Sequence, residues 1–211
     1  RTGLKMELQL QLAKRIPPGS GLGGGSSDAA ATLLGLNTIY DEPLEQEELH
    51  ELAARLGSDV PFFLRGGVAL ATGRGEVLES KPAPADQHLV LALPQAAVST
   101  AWAYMQITAE DLRPLEREAI EGWLTGGPRP RKLPNAFARP VGATFPVIER
   151  SLQLLQQAGL DAVSLTGSGA ACFGLAEDGD SAARIAREIE SRGIAAVPTR
   201  IRDGGVTLKK A

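Results

Sequence analysis

The segment richest in chemistry is Pro17–Asp28, PPGSGLGGGSSD, which holds five glycines and three serines and runs straight into an Ala- and Leu-rich stretch. Where such a run opens into a helix, the first-turn N–H groups are unpaired and lie at the positive end of the helix dipole. Glycines add a backbone that no side chain holds away from a ligand. This is an anion site, suited to the phosphates of a nucleotide. The candidate binding residues are Pro17, Pro18, Gly19, Ser20, Gly21, Leu22, Gly23, Gly24, Gly25, Ser26 and Ser27. The hydroxyls of Ser26 and Ser27 can donate to phosphate, and Ser27 is the candidate for a magnesium contact. The run is not a Walker loop, because the Gly-Lys-Ser/Thr ending is missing. Its glycine spacing also departs from the dinucleotide fingerprint. A tight turn is the plainer alternative, but a turn needs fewer glycines.

Asp59, in GSDVPFF, is the second candidate. It either caps a short helix or acts as a carboxylate base. A third is the turn Thr166-Gly167-Ser168-Gly169, which reads as an ordinary hairpin or as a support for the phosphate loop. Cys172 beside it reads as a small buried hydrophobe. Neither His50 nor His88 carries a role. The basic loop Arg129–Lys132 reads as solvated, although a diphosphate could attract it. Trp102 and Tyr104 could stack on a base, with core packing the simpler job for each.

These residues need elements to hold them. Alternation over Leu4–Leu12 predicts a half-buried strand, ended by Pro17-Pro18. A helix is expected from Asp28 to about Gly35, with small alanines that permit close approach, and a second over Leu44–Leu56 closed by Gly57. A hairpin follows, Val68–Thr72 and Glu76–Ser80, turning at Gly73–Gly75. The Pro/Ala stretch 81–87 suggests a boundary, giving domains 1–84 and 85–211. Beyond it come a strand at 88–94, a helix capped by Ser99 or Thr100, and a helix over Leu112–Leu124. A loop at 126–134 precedes a helix from Val147 to Gly159. Two short strands then flank the Gly-Ser-Gly turn, followed by a helix around Ala182–Ile189 and a strand near Ala195–Arg202. The plan is α+β in two lobes.

Composition narrows the function classes. The chain has 211 residues, 43% apolar and 22% charged, with net charge −3. That is not a disordered composition, nor the basic one expected of a nucleic-acid binder. No apolar stretch approaches the roughly 18 residues of a membrane span. One cysteine and two histidines exclude a structural zinc site. A lone cysteine suits a reducing, cytoplasmic compartment. The expected partner is a small molecule, and oligomeric state is not legible.

KRIPPGSGLGGGSSDAAA resembles the phosphate-binding motif of the GHMP kinases. GSDVPFFLRGGVALATGRGE, VSTAWAY and LTGSGAACFGL follow in the family's order. The resemblance covers most of the chain and implies a two-lobe fold whose C-terminal lobe is a ferredoxin-like α/β sandwich. It implies ATP and Mg2+ as cofactors and Asp59 as the group that takes the proton from the substrate hydroxyl. It also implies Gly167, Ser168 and Gly169 as a turn supporting the phosphate loop. The triple glycine before Ser-Ser resembles one branch, which phosphorylates the 2-hydroxyl of 4-diphosphocytidyl-2-C-methyl-D-erythritol in isoprenoid biosynthesis. A homoserine- or mevalonate-type kinase and a non-catalytic nucleotide-binding fragment are the alternatives. The family's earlier motif, with its lysine and cytidine grip, has no match here. The chain is therefore expected to be an N-terminally truncated piece with an incomplete first lobe, an uncovered strand edge and little turnover of its own.

Overall fold

The computed structural model describes residues 7–41, 43–84, 86–112, 114 and 116–208. By its contacts the chain forms two units: Arg1–Pro17, Gly23–Glu79 and Gly204–Ala211 make the first, Pro18–Leu22 and Ser80–Asp203 the second.

The first unit packs three helices, α1 (Gly24–Ile39), α2 (Gln46–Leu56) and α3 (Val60–Arg65). Its core is small: Ala30, Ala53 and Val60 are buried, with Leu33, Phe63, Leu64 and Val206 packed on them. Alanines on facing helices let the backbones approach closely, so little side-chain volume is needed to fill the space. Buried Asn37 ties α1 to α2, its amide bonding both the C=O and the N–H of Leu44 at 3.1 Å. A reciprocal capping box between Glu45 and Glu48 opens α2. The expected hairpin is present as β1 (Val68–Thr72) and β2 (Val77–Lys81). Residues 204–208 return to this unit, where the Val206 N–H donates to Phe63 C=O at 3.2 Å.

Two expectations in this unit are corrected. Helix α1 starts at Gly24, inside the glycine run, and continues through Gly35 to Ile39. One glycine weakens a helix by about 1 kcal/mol but does not end it. The strand expected over Leu4–Leu12 is not formed in its described part: residues 7–15 have no regular structure, and Leu8, Leu10 and Leu12 are 45%, 69% and 62% exposed. Alternation shows that a segment suits a sheet, but the backbone becomes a strand only beside a hydrogen-bonding neighbour. None of the described strands takes that place. Residues 4–6 of that expectation lie outside the described residues.

The second unit is built on a four-stranded antiparallel sheet, ordered β4-β5-β3-β6, from β3 (His88–Leu93), β4 (Asp161–Leu165), β5 (Cys172–Ala176) and β6 (Ala195–Arg200). Leu91 is the register centre, opposite Phe173 on one side and Val197 on the other. This order is the ferredoxin-like one. Helix α4 (Thr100–Gln106) is capped by the Ser99 hydroxyl, which accepts from the Trp102 N–H at 3.3 Å. After a 3-10 turn at Ala109–Asp111 come α5 (Arg117–Leu124), α6 (Ala138–Thr144), α7 (Pro146–Gln157) and α8 (Gly179–Ser191). Ile148, Leu152 and Leu155 of α7 and Ile185 and Ile189 of α8 fill the core against Val90, Ala92 and Cys172.

The helix expected from Leu112 begins only at Arg117. Pro114 lacks the N–H that a helix interior needs. Helix α6 was not expected, because Pro140 and Gly142 lie inside it. Pro140 falls in its first turn, where a missing N–H costs nothing.

Candidate functional site

The first unit carries the start of α1. Gly23 is the N-cap residue at φ +67°, and no side chain caps the helix or places an acid in its first turn. The first helical bond runs from the Ser27 N–H to Gly23 C=O at 2.8 Å. The N–H groups of Gly24, Gly25 and Ser26 therefore lie outside the helical ladder. Gly25 is exposed, and a Cβ built on it would meet nothing within 4 Å. Gly23 is different: a Cβ there would stand 2.4 Å from the Phe63 ring, so this glycine is needed for packing. The Ser27 hydroxyl donates to Gly24 C=O at 2.8 Å, a bond that does not use its lone pairs. Lys14, the first residue of the KRIPPGSG motif, supplies positive charge. Its ammonium pairs with the Asp28 carboxylate and lies 3.4 Å from the place of a Gly24 Cβ.

Asp59 occupies the N-cap position of α3 but makes no capping hydrogen bond, and it is exposed. The bland role has the position without the bond. Its backbone is already helical, φ −87° and ψ −14°, so Asp59 shares a face of α3 with Phe63, four residues on. Phe63 is the residue whose ring lies against Gly23. Four residues of helix rise put the Asp59 and Phe63 backbones about 6 Å apart along the axis. The hairpin turn lies beside it, with Asp59 Oδ1 3.6 Å from where a Gly75 Cβ would be.

The second unit holds the other half of the glycine loop, Pro18–Leu22. The Ala170 N–H donates to Gly19 C=O at 3.1 Å and the Ala171 N–H to Ser20 C=O at 3.0 Å. The Thr166 hydroxyl donates to the same Ser20 C=O at 2.9 Å. Gly21, at φ +72°, comes so close that a Cβ would stand 2.0 Å from Thr166 O. The expected turn, Gly167, Ser168 and Gly169, is thus brought against Gly19–Gly21. Ser168 is buried, with its Oγ 3.2 Å from Thr100 Oγ1.

The remaining candidates separate cleanly. Tyr104 is 63% exposed while one edge packs on Phe137, with ring centroids 4.9 Å apart. Trp102 is half-buried against Phe145 at 5.5 Å, a packing role. Cys172 is buried, and desolvation pushes its thiol up to about 12, so it is not a nucleophile. His50 lines a 450 Å³ cavity among α1, α2 and α3 that includes neither Asp59 nor the glycine loop. In the basic loop, Arg129 bonds the Glu177 C=O at 3.1 Å. Among the described residues no group of His, Cys, Asp or Glu is arranged to hold a metal ion. None of their helices is long and apolar enough to cross a membrane.

Comparison with known proteins agrees with this layout. The family model for the GHMP kinases N terminal domain matches residues 1–67, and that for GHMP kinases C terminal matches residues 107–195. A 4-diphosphocytidyl-2-C-methyl-D-erythritol kinase of Chlorobium phaeobacteroides is 40% identical over 198 residues, covering 88% of this chain and 68% of the relative. The chain belongs to the GHMP kinases. A second GHMP kinase of the same name, from Gloeobacter violaceus, is 42% identical over 186 residues, 84% of this chain and 62% of the relative. A crystal structure of 4-(cytidine 5'-diphospho)-2C-methyl-D-erythritol kinase superposes with a TM-score of 0.75 at 39% identity, covering 88% of this chain and 67% of that one. The chain thus spans about two thirds of the length of these family members. The two-lobe α+β architecture is the one the family resemblance implied.

Proposed function

We propose that this protein is an ATP-dependent kinase that phosphorylates the 2-hydroxyl of 4-diphosphocytidyl-2-C-methyl-D-erythritol. The carrying observation is the uncapped start of α1, with an open glycine at its second position and a lysine beside its first. That is a cradle for an anion and leaves the helix dipole uncompensated. The alcohol is the one for which the chain's relatives, the 4-diphosphocytidyl-2-C-methyl-D-erythritol kinases, are named.

In this reading Pro17–Ser27 hold the nucleotide phosphates, with backbone N–H groups and the Ser26 and Ser27 hydroxyls as donors. Magnesium, when bound with the nucleotide, supplies charge neutralisation on the phosphates, and Ser27 is the residue placed to meet it. Asp59 accepts the proton of the substrate hydroxyl as its oxygen bonds to the γ-phosphorus. The bond to the bridging β–γ oxygen breaks, and ADP leaves. The work of Asp59 is orientation as much as basicity, because phosphoryl transfer depends on positioning. The compartment is the reducing cytoplasm, in keeping with the single buried thiol.

Two measurements test this. Titration of the chain with a non-hydrolysable ATP analogue and Mg2+ should show saturable binding. ADP release should then depend on the cytidine-diphosphate-linked alcohol and not on mevalonate or homoserine. Turnover of either of those two alcohols instead would overturn the substrate assignment.

A further inference from the structure

Asn135 belongs to none of the motifs discussed above, yet its side chain is fully committed. It lies at the end of the loop before α6 and is half-buried. Its Nδ2 donates to Gly167 C=O at 2.9 Å and to Leu165 C=O at 3.2 Å. Its Oδ1 accepts from the Phe137 N–H at 2.8 Å. The amide can face only one way, since its nitrogen meets two carbonyls and its oxygen meets an N–H. The two carbonyls flank Thr166, the residue whose hydroxyl holds Ser20. The same turn ends in the Ala170 and Ala171 N–H groups that hold Gly19 and Ser20.

We infer that Asn135 is a positioning residue for the glycine loop. It fixes the carbonyls on either side of Thr166, so that the Thr166 hydroxyl and the Ala170 and Ala171 N–H groups face Gly19 and Ser20. Those two residues lead directly into Gly23–Ser27. Asn135 therefore acts on nucleotide affinity without touching nucleotide, an effect that rests on the phosphate-loop reading above. Without it, the carbonyls of Leu165 and Gly167 lose their shared partner and the turn is free to rotate. A lost hydrogen bond of ordinary strength is about a tenfold effect on an equilibrium.

The test compares the wild-type chain with Asn135→Asp and Asn135→Ala. Asp keeps the acceptor for the Phe137 N–H but turns a carboxylate oxygen toward the two carbonyls. In Asn135→Asp without nucleotide, the Ala170 and Ala171 amides should exchange about tenfold faster while Phe137 and the amides of β5 keep their protection. The dissociation constant for an ATP analogue should rise about tenfold. It should rise little further when Thr166→Val is added, because both changes open the same clamp. Asn135→Ala should also expose the Phe137 amide. Unchanged exchange at Ala170 and Ala171, or protection lost evenly across α6, β4 and β5, would overturn the inference. So would additive effects of the two substitutions on affinity. If the wild-type chain binds no nucleotide, the kinase reading fails, while the exchange measurement still decides whether Asn135 sets the loop.

Discussion

Gly25→Ala separates a glycine needed by the ligand from a glycine needed by the fold. Position 25 is the second residue of α1, exposed, with nothing within 4 Å of a built Cβ. The unliganded protein should tolerate the methyl and gain a few tenths to about 1 kcal/mol, since alanine is the better helix former. An anion drawn to that N–H would instead meet the methyl. One charge-assisted hydrogen bond is worth about 1.5–3 kcal/mol, or roughly 10- to 150-fold in affinity. The assay is thermal unfolding with and without a magnesium ATP analogue. At 100 times its dissociation constant, the analogue stabilises wild type by about 2.7 kcal/mol. At ~2–4 °C per kcal/mol for a chain of this size, that is a shift of roughly 5–11 °C. A 30-fold weaker variant at the same concentration retains about 0.9 kcal/mol, a shift of roughly 2–3.5 °C. Gly24→Ala is the control: its Cβ would lie 2.8 Å from Ile16 Cγ2, so it should lower Tm even without ligand. A full nucleotide shift in Gly25→Ala, or a loss of its unliganded stability, would refute the phosphate-loop argument.

Asp59→Asn should leave the unfolding free energy within about 0.5 kcal/mol of wild type, because the side chain is exposed and makes no cap bond. In a chain extended to the full length of its relatives, nucleotide binding should persist while ADP release falls roughly 10²–10⁴-fold; intact turnover there would remove Asp59 from the mechanism. Arg139 hydrogen bonds, with help from Thr108, hold the Asp111 carboxyl well below the usual carboxylate range. A depressed carboxylate stabilises above its unfolded value near 4 and loses that contribution as pH falls toward the folded value. Denaturant unfolding from pH 6 to 2 should therefore show an acid-side loss that Asp111→Asn reduces, the rest coming from Glu76, Glu121 and Asp178, which are also held low. Cys172, buried and with its thiol raised to about 12, should resist a maleimide at pH 8 in the native state and react at the rate of unfolding. Prompt labelling would contradict its place in the core.

Local signals read well wherever one element decides its own form. The Leu49–Leu56 periodicity, the hairpin turn at Gly73–Gly75 and the Ser99 cap needed no distant partner, and α2, β1–β2 and α4 stand where expected. Residues 7–15 failed for the opposite reason. Their alternation reports what a sheet neighbour would accept, and no described strand is that neighbour. The start of α1 was placed four residues late, because a glycine run reads as loop even where a helix dipole begins. The return of residues 204–208 to the first unit has no local pattern, since it rests on a backbone bond to Phe63, close backbone approach to Gly66 and the packing of Val206.

At the candidate site, the residue types were legible but their division of labour was not. Five glycines look alike in a sequence, yet the structure gives them different work. Gly21 admits Thr166 O and Gly23 admits the Phe63 ring, so both are demanded by packing. Gly25 has open space, and only there does a missing side chain favour a ligand over the fold. At Gly21 and Gly23 the fold alone already accounts for the missing side chain. The groups that aim the loop lie far away in the chain: the Thr166 hydroxyl reaches Ser20 across 146 positions. Asn135 acts one step further back, through carbonyls that any residue could supply. A positioning residue of that kind has no motif of its own, because its partners are backbone atoms.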